Sequence, residues 1–518
     1  MSYVYGIDLG TTNSAIAYID AGGQPIVVPN GVTGHLTTPS VVYFQEPTEV
    51  AVGDVARNAA VAEPENVVSM VKRSMGEART FTLHDVEHTP ESISALILKH
   101  LHEDAVAAVA APDNGVVITV PAYFGMRETQ ATIEAGALAG LNVISTIPEP
   151  IAAALHYGVG PGESTETLLV YDLGGGTFDT SVLRIGSDAI DTVVIDGDRN
   201  LGGADWDRRI ADWLVEEFAA RTDYDGDDLG DAGFQQLVLQ QAESAKIQLS
   251  RVQATKVPIR YGAHAATIEL TRDQYEELTA ELLERTIQIV RRTLKTASSK
   301  YVPTSSIADV LLVGGATLMP SVRERLTAEF GWSARRVDPH LAVVKGAAIY
   351  AEGIRSQSTG SPTLHVPKVR KVLPRSFGVK LDREMDHDRE DLYVEYIAHA
   401  NDPLPILDRE LTVATKADAV QTQGFELFEQ NGDRPSPVVA LNREVTPPGG
   451  FVFQGLPKLP KGSPIKILLN VGEDGLATVE AFERKSGQKL TTNVQLGVLQ
   501  ARQLRELEQA VGKIDLLH

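Results

Sequence analysis

Two patterns of hydrophobic and polar positions divide the chain. Up to about residue 355, short β-rich runs alternate with helical periodicities, as where "VVITVPAYF" precedes "ETQATIEAGALAG" and "DVLLVGGAT" precedes "PSVRERLTAEF". Strands that alternate with helices are typical of mixed α/β layers with a largely covered sheet. The pattern therefore predicts an α/β fold for the first and larger part of the chain.

The pattern changes beyond a Ser-, Gly- and Pro-rich stretch at 353–372, which we interpret as an interdomain linker. Short alternating runs such as "LYVEYIA" and "IKILLNV" follow, separated by turn sequences such as "NGD" and "PKGS". They predict an antiparallel β-sandwich. At the end, apolar residues at three- and four-residue spacing, Leu504, Leu507, Val511 and Ile514, predict one short amphipathic helix. The predicted divisions are 1–352, 353–372, 373–495 and 496–518.

Composition narrows the class of protein. A chain of 518 residues is too long for one hydrophobic core. The net charge of -22 argues against a nucleic-acid partner, and the absence of cysteine excludes disulfides and thiolate metal sites. No apolar run is long enough for a transmembrane helix, and the first ten residues carry no basic charge, which argues against a cleaved signal peptide. We therefore expect a cytoplasmic protein that does not bind membranes.

The candidate chemistry lies in two similar stretches, "YVYGIDLGTTNSAIAYID" and "LLVYDLGGGTFDTSVLRI". In each, a β-rich run ends in Asp and turns through glycine and hydroxyl residues into a second run. Backbone N–H groups at such a turn suit phosphate oxygens, and a carboxylate suits hydrated Mg²⁺. The residues concerned are Asp8, Gly10, Thr11, Thr12 and Asn13 in the first loop, and Asp172, Gly174, Gly175, Gly176, Thr177 and Asp179 in the second.

A single loop of this kind is equally consistent with a tight hairpin that binds nothing. Two of them indicate an internal duplication, in which two hairpins face each other across a cleft and clamp a nucleotide. No GxxxxGK[ST] motif occurs, so the pattern is not of the Walker type. A third glycine turn, Gly314 and Gly315 in "VLLVGGATLMP", either allows close approach of a base or ribose or is a plain packing turn.

Ordered motifs give a specific family resemblance. "GIDLGTTNS", "VITVPAYF", "IPEPIAAALHYG", "VYDLGGGTFDTSVL", "LGGADWD", "AESAKIQLS" and "VLLVGGAT" together resemble the ATPase domain of the seventy-kilodalton heat-shock (DnaK-type) chaperones. The match covers about residues 1 to 352 and implies an actin-like fold, that is, a duplicated ribonuclease H-like fold. The stretch "GLPKLPKGSPIKILLNVGEDGLATVEAFERKSGQ" is similar to that family's peptide-binding β domain.

The resemblance implies a role for each matched residue. Asp8, Asp172 and Asp179 would hold Mg²⁺ and accompanying K⁺ ions, mostly through water. Lys72 falls on the family's catalytic lysine, and Glu149 on the carboxylate that positions the attacking water. Besides the two phosphate loops, the implied nucleotide-binding residues are Gly202, Gly203, Glu243, Lys246, Ile247, Ser250, Gly314, Gly315 and Leu318. The implied catalytic residues are Lys72, Glu149, Asp172, Thr177 and Asp8.

Without the resemblance, the same residues have plainer interpretations. Lys72 beside Arg73 is then a solvated basic pair, and Glu149 between two prolines faces water at a bend. The stretch "AESAKIQL" is then an exposed helix face with an ion pair between Glu243 and Lys246, worth ~0.2 to 0.5 kcal/mol.

The sequence departs from the family pattern at four places. The adenine-stacking arginine is replaced by Leu318, opposite Ile247, which predicts an apolar slot and an altered base contact. The relay arginine after "VPAYF" is replaced by Thr129, with Arg127 two residues earlier. The linker reads "VPKVRKV", basic where the family has an acidic, leucine-rich segment, which leaves coupling between the domains open.

The fourth departure concerns peptide binding. The strand and loop expected to form the peptide arch, "DREMDHDRED" at 382–391, are almost entirely charged, so the family's apolar peptide pocket is not transferable to them. The family's helical lid is expected to be absent, with only the short final helix in its place, so bound peptide should leave quickly.

Two functions from different classes remain. The first is an ATP-dependent chaperone, which hydrolyses ATP to ADP with Mg²⁺ and couples nucleotide state to binding of unfolded or specific polypeptides. The family further implies a J-domain co-chaperone and a nucleotide exchange factor as partners. The alternative is a nucleotide-gated interaction module or co-chaperone with weak ATPase activity and a dedicated protein partner. The fold alone also permits an actin-like filament or a small-molecule kinase.

Overall fold

The computed structural model describes residues 3–109, 113–158, 165–222, 224, 231–359, 366–383, 391–432, 434–446, 451–473, 475–484, 487–493 and 501–517. Helices and strands alternate through residue 359, whereas the described part of 366–493 is built of strands and one short 3-10 turn. We call residues 3–158 the first lobe, 165–341 the second lobe, 366–493 the β region and 501–517 the distal segment.

The elements follow in chain order. The strands of the lobes are β1 (Tyr3–Asp8), β2 (Asn13–Ile19), β3 (Pro25–Val27), β4 (Thr38–Pro39), β5 (Val42–Glu46), β6 (Glu49–Val52), β7 (Val67–Val68), β8 (Phe81–Leu83), β9 (Val86–His88), β10 (Asp113–Val120), β11 (Val143–Pro148), β12 (Glu166–Leu173), β13 (Phe178–Ile185), β14 (Ala189–Asp198), β15 (Ala254–Tyr261), β16 (His264–Thr271), β17 (Ile307–Val313) and β18 (Arg335–Arg336). The remaining strands are β19 (Lys368–Arg370), β20 (Phe377–Asp382), β21 (Leu392–Ala398), β22 (Ile406–Ala414), β23 (Val420–Phe425), β24 (Leu427–Gln430), β25 (Asn442–Glu444), β26 (Phe451–Leu459), β27 (Pro464–Val471), β28 (Ala477–Glu483), β29 (Lys489–Asn493) and β30 (Asp515–Leu517). The helices are α1 (Asp54–Ala59), α2 (Pro90–Val109), α3 (Met126–Leu138), α4 (Glu149–Tyr157), α5 (Gly203–Arg221), α6 (Ala232–Leu249), α7 (Arg272–Ser299), α8 (Pro320–Phe330), α9 (Ala342–Thr359) and α10 (Ala501–Gly512).

The main sheets of the two lobes repeat one topology. The first has the strand order β11-β10-β1-β2-β3, and the second has β18-β17-β12-β13-β14, extended by β19. In each, the hairpin strands are antiparallel, β1 with β2 and β12 with β13, while β10 and β17 lie parallel to the first strand of their hairpin. The duplication predicted from the two Asp-Leu-Gly loops is therefore present in the strand order.

Helices α4 and α9 pack together between the two sheets. Gly346 in α9 lies so close to Ala152 in α4 that a β-carbon at position 346 would overlap the Ala152 carbonyl. Gly6 in β1 makes a similarly close approach to Ala347 and Ala348. These small residues let helix and sheet backbones approach closely, so the two hairpins are held in fixed positions relative to each other.

The β region has its own core. Its sheets have the strand orders β21-β20-β24-β25, β22-β27-β28-β29 and β23-β26. Alternate residues of β27, such as Ile467 and Leu469, are fully buried beside Phe377 and Phe451. The alternation of buried and more exposed side chains that the sequence predicted is therefore confirmed in β27. Of the predicted peptide arch, residues 384–390 lie outside the described part of the chain.

The predicted linker attaches to the second lobe as a strand. Helix α9 continues to Thr359, and β19 then pairs in parallel with β14. Val372 is buried against Ala122 and Ile195. The exposed side chain of Lys368 pairs with Glu473 at 3.3 Å, and that of Arg370 with Asp191 at 3.0 Å. Lys368 and Arg370 thus face outward and Val372 faces the protein, whereas Lys371 is half-buried and its Nζ donates to the Thr146 carbonyl at 3.5 Å.

The distal segment returns to the first lobe. The predicted final helix is present as α10, but it ends at Gly512, and the sequence did not predict the strand β30 that follows. β30 pairs in parallel with β6, at the edge of the sheet β30-β6-β5-β7. None of the described helices is both long and apolar enough to cross a membrane.

Candidate functional site

A cleft of about 450 Å³ lies where the two hairpin loops face each other. Nearly all the predicted site residues line it: Asp8, Gly10, Thr11, Thr12, Asn13, Lys72, Glu149, Asp172, Gly174, Gly175, Thr177, Gly203, Glu243, Lys246, Ile247, Ser250, Gly314, Gly315 and Leu318. Gly176, Gly202 and Asp179 are adjacent to these residues but do not contribute to the lining. The structure therefore brings together residues that are far apart in the sequence.

The first loop is held by hydroxyl groups. The Gly10 N–H donates to Ser14 Oγ at 3.1 Å, and Ser40 Oγ donates to the Gly10 carbonyl at 2.8 Å. The Ser40 N–H also donates to the Thr12 carbonyl at 2.9 Å. These contacts fix the turn between β1 and β2 before any ligand arrives, so little conformational entropy remains to be lost on binding.

The second loop is held by the first turn of α5. The N–H groups of Gly203 and Ala204 donate to the carbonyls of Gly174 and Gly175 at 2.9 and 2.8 Å. A β-carbon at Gly202 would lie 2.5 to 2.7 Å from backbone atoms of this loop. Only glycine allows the helix to start this close to the loop, because any side chain there would displace backbone.

The two loops touch each other. A β-carbon added at Gly175 would overlap the side chain of Thr12, and one added at Gly176 would overlap that of Thr11. Gly175 and Gly176 of the second loop thus each face a threonine of the first. A group bound between the loops therefore meets backbone on one side and hydroxyl groups on the other, as a phosphate requires.

Three aspartates lie beneath the loops, with Asp172 and Asp179 buried and Asp8 half-buried. Burial raises the pKa of Asp8 to about 6, with the charge of Glu149 adding to the effect and Lys72 opposing it. Burial and then Glu149 also raise the pKa values of Asp172 and Asp179 well above their usual range. Carboxylates that repel one another in a low-dielectric site favour either a proton or a cation.

The same aspartates fit a hydrated cation. Neither carboxylate oxygen of Asp179, which is 1% exposed, makes a hydrogen bond of normal geometry with the described residues. Among the described residues, no three carboxylate or imidazole groups are close enough to bind one metal ion directly. Buried oxygen donors with unmet hydrogen-bonding capacity, too far apart for direct ligation, match an ion that keeps its water shell, as Mg²⁺ does.

Lys72 and Glu149 form a buried ion pair across the cleft floor. Lys72 Nζ lies 2.5 Å from Glu149 Oε1, and the two residues are 5% and 8% exposed. The alternatives in which Lys72 is a solvated partner of Arg73 and Glu149 faces water are therefore wrong. Arg73 instead reaches the phosphate loop, where its Nε donates to the Gly176 carbonyl at 2.8 Å.

The polar residues of α6 do not form the ion pair that the exposed-helix interpretation predicted. Lys246 binds Asp207 at 2.6 Å instead of Glu243, and its Nζ also donates to the Gly203 carbonyl at 3.1 Å. Glu243 pairs with Arg57 of the first lobe. The predicted ion pair between Glu243 and Lys246 is wrong because each side chain finds a partner on another element. The Glu243 pair also links the two lobes across the cleft.

Several cleft residues were missed by sequence reasoning. Arg251, Arg336 and His340 also line the cleft, on the side of Leu318 and Ile247. A β-carbon at Gly315 would lie 2.7 Å from the His340 ring, so that ring packs on the glycine turn. These residues carry no motif. For Arg336 and His340 the available signal was their position in "RRVDPH", in the short strand β18 and the turn that leads to α9, whereas Arg251 lies just beyond the end of α6.

A buried ion cluster joins the first lobe to the β region. Glu128 of α3 is 1% exposed and contacts Arg443 at 2.8 Å and Arg375 at 3.3 Å. The N–H of Met126 donates to Glu429 at 3.2 Å. Burial alone would raise the pKa of Glu128, but the two arginines hold it below its usual value. Arg127, two residues before the expected relay position, lies beside this cluster and feels its charges.

Comparison with known proteins agrees with this geometry. The sequence profile of the family described as "Hsp70 protein" matches residues 4–513. The chain is 36% identical over 496 residues to "Chaperone protein DnaK" of Thermotoga petrophila, an alignment that covers 94% of this chain and 79% of the relative. It is 37% identical over 495 residues to the protein of the same name from Thermosipho africanus, with the same coverage. The chain therefore belongs to the Hsp70 family.

Proposed function

We propose that this chain is an ATP-dependent chaperone, in which an actin-like ATPase domain of two lobes controls a β-sandwich that binds unfolded or specific polypeptides. The observation that carries the proposal is the cleft itself, where two pre-organised glycine and threonine loops meet above three aspartates, two of them buried, and an ion-paired lysine. The relatives named as chaperones support the same function.

In the proposed reaction, each group has one role. The N–H groups and hydroxyls of the two loops hold the phosphates of ATP. Lys72 supplies positive charge where the γ-phosphoryl group gains negative charge, and Glu149, its partner, orients the attacking water. Loose phosphoryl transfer depends on such positioning and charge compensation more than on covalent help.

A metal ion completes the site. Asp8, Asp172 and Asp179 would hold hydrated Mg²⁺, and K⁺ in the family's manner. When bound, such an ion would supply charge neutralisation for the phosphates. Until then the three carboxylates repel one another and Glu149, as their raised pKa values indicate. A bound cation would therefore relieve this repulsion, and Mg²⁺ would arrive in complex with ATP.

The base would contact a different surface from that of the family. Leu318 and Ile247 offer apolar faces, and the guanidinium groups of Arg251 and Arg336 line the same end of the cleft. Arg336 is held there by its hydrogen bond to the Thr317 carbonyl at 2.8 Å. Planar guanidinium groups stack on aromatic rings. We propose that one of these two arginines stacks on the base, a role that the aliphatic side chain of Leu318 does not fill.

A chain of contacts supports coupling between the nucleotide and the β region. Arg73 contacts the Gly176 carbonyl of the phosphate loop, and Arg199 donates to the Arg73 carbonyl at 2.9 Å. Arg199 also lies 3.8 Å from Glu128, which binds the β region through Arg375. A phosphate that shifts the loop would therefore act on the ion cluster at the interface. We propose that this route serves where the family's arginine relay is absent.

The experiment that tests the proposal measures polypeptide binding in two nucleotide states. A fluorescently labelled, permanently unfolded protein is titrated with the full chain, with Mg²⁺ and either ATP or ADP, and its anisotropy is followed. We expect the apparent Kd and the dissociation rate to differ at least tenfold between the two states. Equal binding in both states contradicts nucleotide-controlled holding. A J-domain protein and a nucleotide exchange factor, the proposed partners, can then be added to the same assay.

A further inference from the structure

The distal segment occupies an edge of the first lobe that would otherwise be open to strand addition. β30 pairs with β6 in the register Asp515 to Glu49, Leu516 to Val50 and Leu517 to Ala51. The Asp515 N–H also donates to the Thr48 carbonyl at 2.9 Å. An uncovered edge strand is a template for pairing with another chain, so the occupant of this edge matters to how the protein behaves.

Apolar side chains anchor the same segment. Val511 and Ile514 are 2% and 4% exposed and belong to the hydrophobic core of the first lobe, together with Val50 of β6. The ammonium group of Lys99 donates to the Ile514 carbonyl at 2.8 Å. The segment is therefore part of a core and is not a surface contact that thermal motion would readily break.

The β region is consequently attached at both ends, and to different lobes. Its first strand, β19, extends the main sheet of the second lobe, and beyond its last strand the distal segment is built into the first lobe. For the β region to undock, the pairing of β30 with β6 must therefore break as well. That pairing reforms readily, because a contact within one chain has a high effective concentration.

Nucleotide has no direct contact with this second attachment. Neither β6 nor the distal segment contributes a residue to the cleft lining. A ligand shifts a conformational equilibrium only by its differential interaction with the two states. Exchange of ATP for ADP therefore changes no contact of the distal segment directly.

We propose that the distal segment is an intramolecular clamp, in which β30 occupies a strand-addition site at β6 and keeps the β region docked on both lobes in every nucleotide state. The clamp does not depend on ATP hydrolysis. It makes the movements of the β region small and local, because both of its ends stay fixed to the lobes.

Hydrogen exchange and small-angle scattering test the clamp on the full chain. The variant Val511→Asp/Ile514→Asp puts two charges into the core, and a chain ending at Lys513 removes β30 without adding charge. The control Gln509→Asp/Ala510→Asp adds the same charge at exposed positions of α10. We expect both clamp variants to exchange the amides of residues 48–52 at least tenfold faster than the wild type and the control.

Scattering gives the second readout. The wild-type radius of gyration should be the same with ATP and with ADP, whereas both clamp variants should expand with ADP. Two results would overturn the clamp: equal exchange of residues 48–52 in the wild type and in the chain ending at Lys513, or expansion of the wild type with ADP. Protection of β6 that disappears on hundredfold dilution would also overturn it, because the strand would then come from a second copy. None of these readouts requires hydrolysis, so an inactive ATPase leaves the test intact.

Discussion

Glu128→Gln is the most informative change at the interface between the first lobe and the β region. The carboxylate of Glu128 faces two arginines of the β region, at 2.8 Å for Arg443 and 3.3 Å for Arg375, and both Glu128 and Arg375 are more than nine-tenths buried. Glutamine keeps the shape of the side chain and removes its charge. The two arginines would then face each other with Glu429 as the remaining buried carboxylate.

The magnitude follows from burial. Breaking a buried ion pair by removing one partner costs about 3 to 5 kcal/mol, because the other charge stays buried and uncompensated. An amide retains part of the hydrogen bonding, so we expect a loss of about 3 kcal/mol, or roughly 100-fold in the local opening equilibrium of the interface. An exposed ion pair is worth at most ~1 kcal/mol. Glu426→Gln, which removes the partly exposed partner of Lys380 within the β region, is therefore the matched control.

Native-state hydrogen exchange of residues 125–129 is the assay. The N–H of Met126 donates across the interface to Glu429, so its exchange requires local opening. We expect Glu128→Gln to speed exchange of this segment about 100-fold and Glu426→Gln to leave it unchanged. Exchange within about threefold of the wild type in Glu128→Gln would refute the view that this cluster holds the interface together.

Three further predictions test the cleft and the core. Gly176→Ala should lower the Tm and weaken ATP binding about tenfold by calorimetry, because the added β-carbon meets Thr11. The control Gly174→Ala should keep the wild-type Tm, because the nearest atom to its β-carbon is 3.7 Å away, and equal Tm values for the two variants would contradict the close contact of the loops. Burial raises the pKa of Glu134 to about 7 from the usual 4.5, so the folded state keeps a proton that the unfolded chain releases, and stability falls as pH rises between these values. Glu134→Gln should therefore raise the free energy of unfolding at pH 8 by on the order of 2 kcal/mol and leave it unchanged below pH 4.5, and a gain that is the same at both pH values would argue against titration of this carboxyl. Asp179→Asn should raise the Tm of the free protein, because it removes a buried, poorly solvated charge. It should also reduce the extra stabilisation by Mg²⁺-ATP, and differential scanning calorimetry measures both effects. A lower Tm without ligand would contradict the view that burial of the Asp179 charge destabilises the free protein.

The sequence predicted the cleft well because its parts are local. Each phosphate loop is one continuous stretch between two strands, and the antiparallel pairing of Asp8 with Ala15 or of Asp172 with Asp179 follows from the turn itself. Lys72 and Glu149 are different, since nothing in their own neighbourhoods distinguishes them from solvated residues. Only the order of motifs along the whole chain assigned them, and the structure then brought them to 2.5 Å.

The features that the sequence did not predict depend on partner residues that are far away in the chain. A spacing of three residues made Glu243 and Lys246 natural partners, yet each pairs with another element because Arg57 and Asp207 lie closer. The strand "DLL" is too short to show a period, and its assignment depends on the open edge of β6. Arg336 lies in the two-residue strand β18, whose position is set by its pairing with β17, and no periodicity marks it.

Single-turnover hydrolysis tests the central claim most directly. The full chain is mixed in excess with γ-labelled ATP and Mg²⁺, and release of phosphate is followed for the wild type, for Lys72→Met and in EDTA. We predict a rate clearly above the no-enzyme background for the wild type, and a loss of at least 100-fold in Lys72→Met and in EDTA, because each removes charge that compensates the transferring phosphoryl group. A wild-type rate at background would contradict the ATPase and would leave a nucleotide-gated binding module in its place.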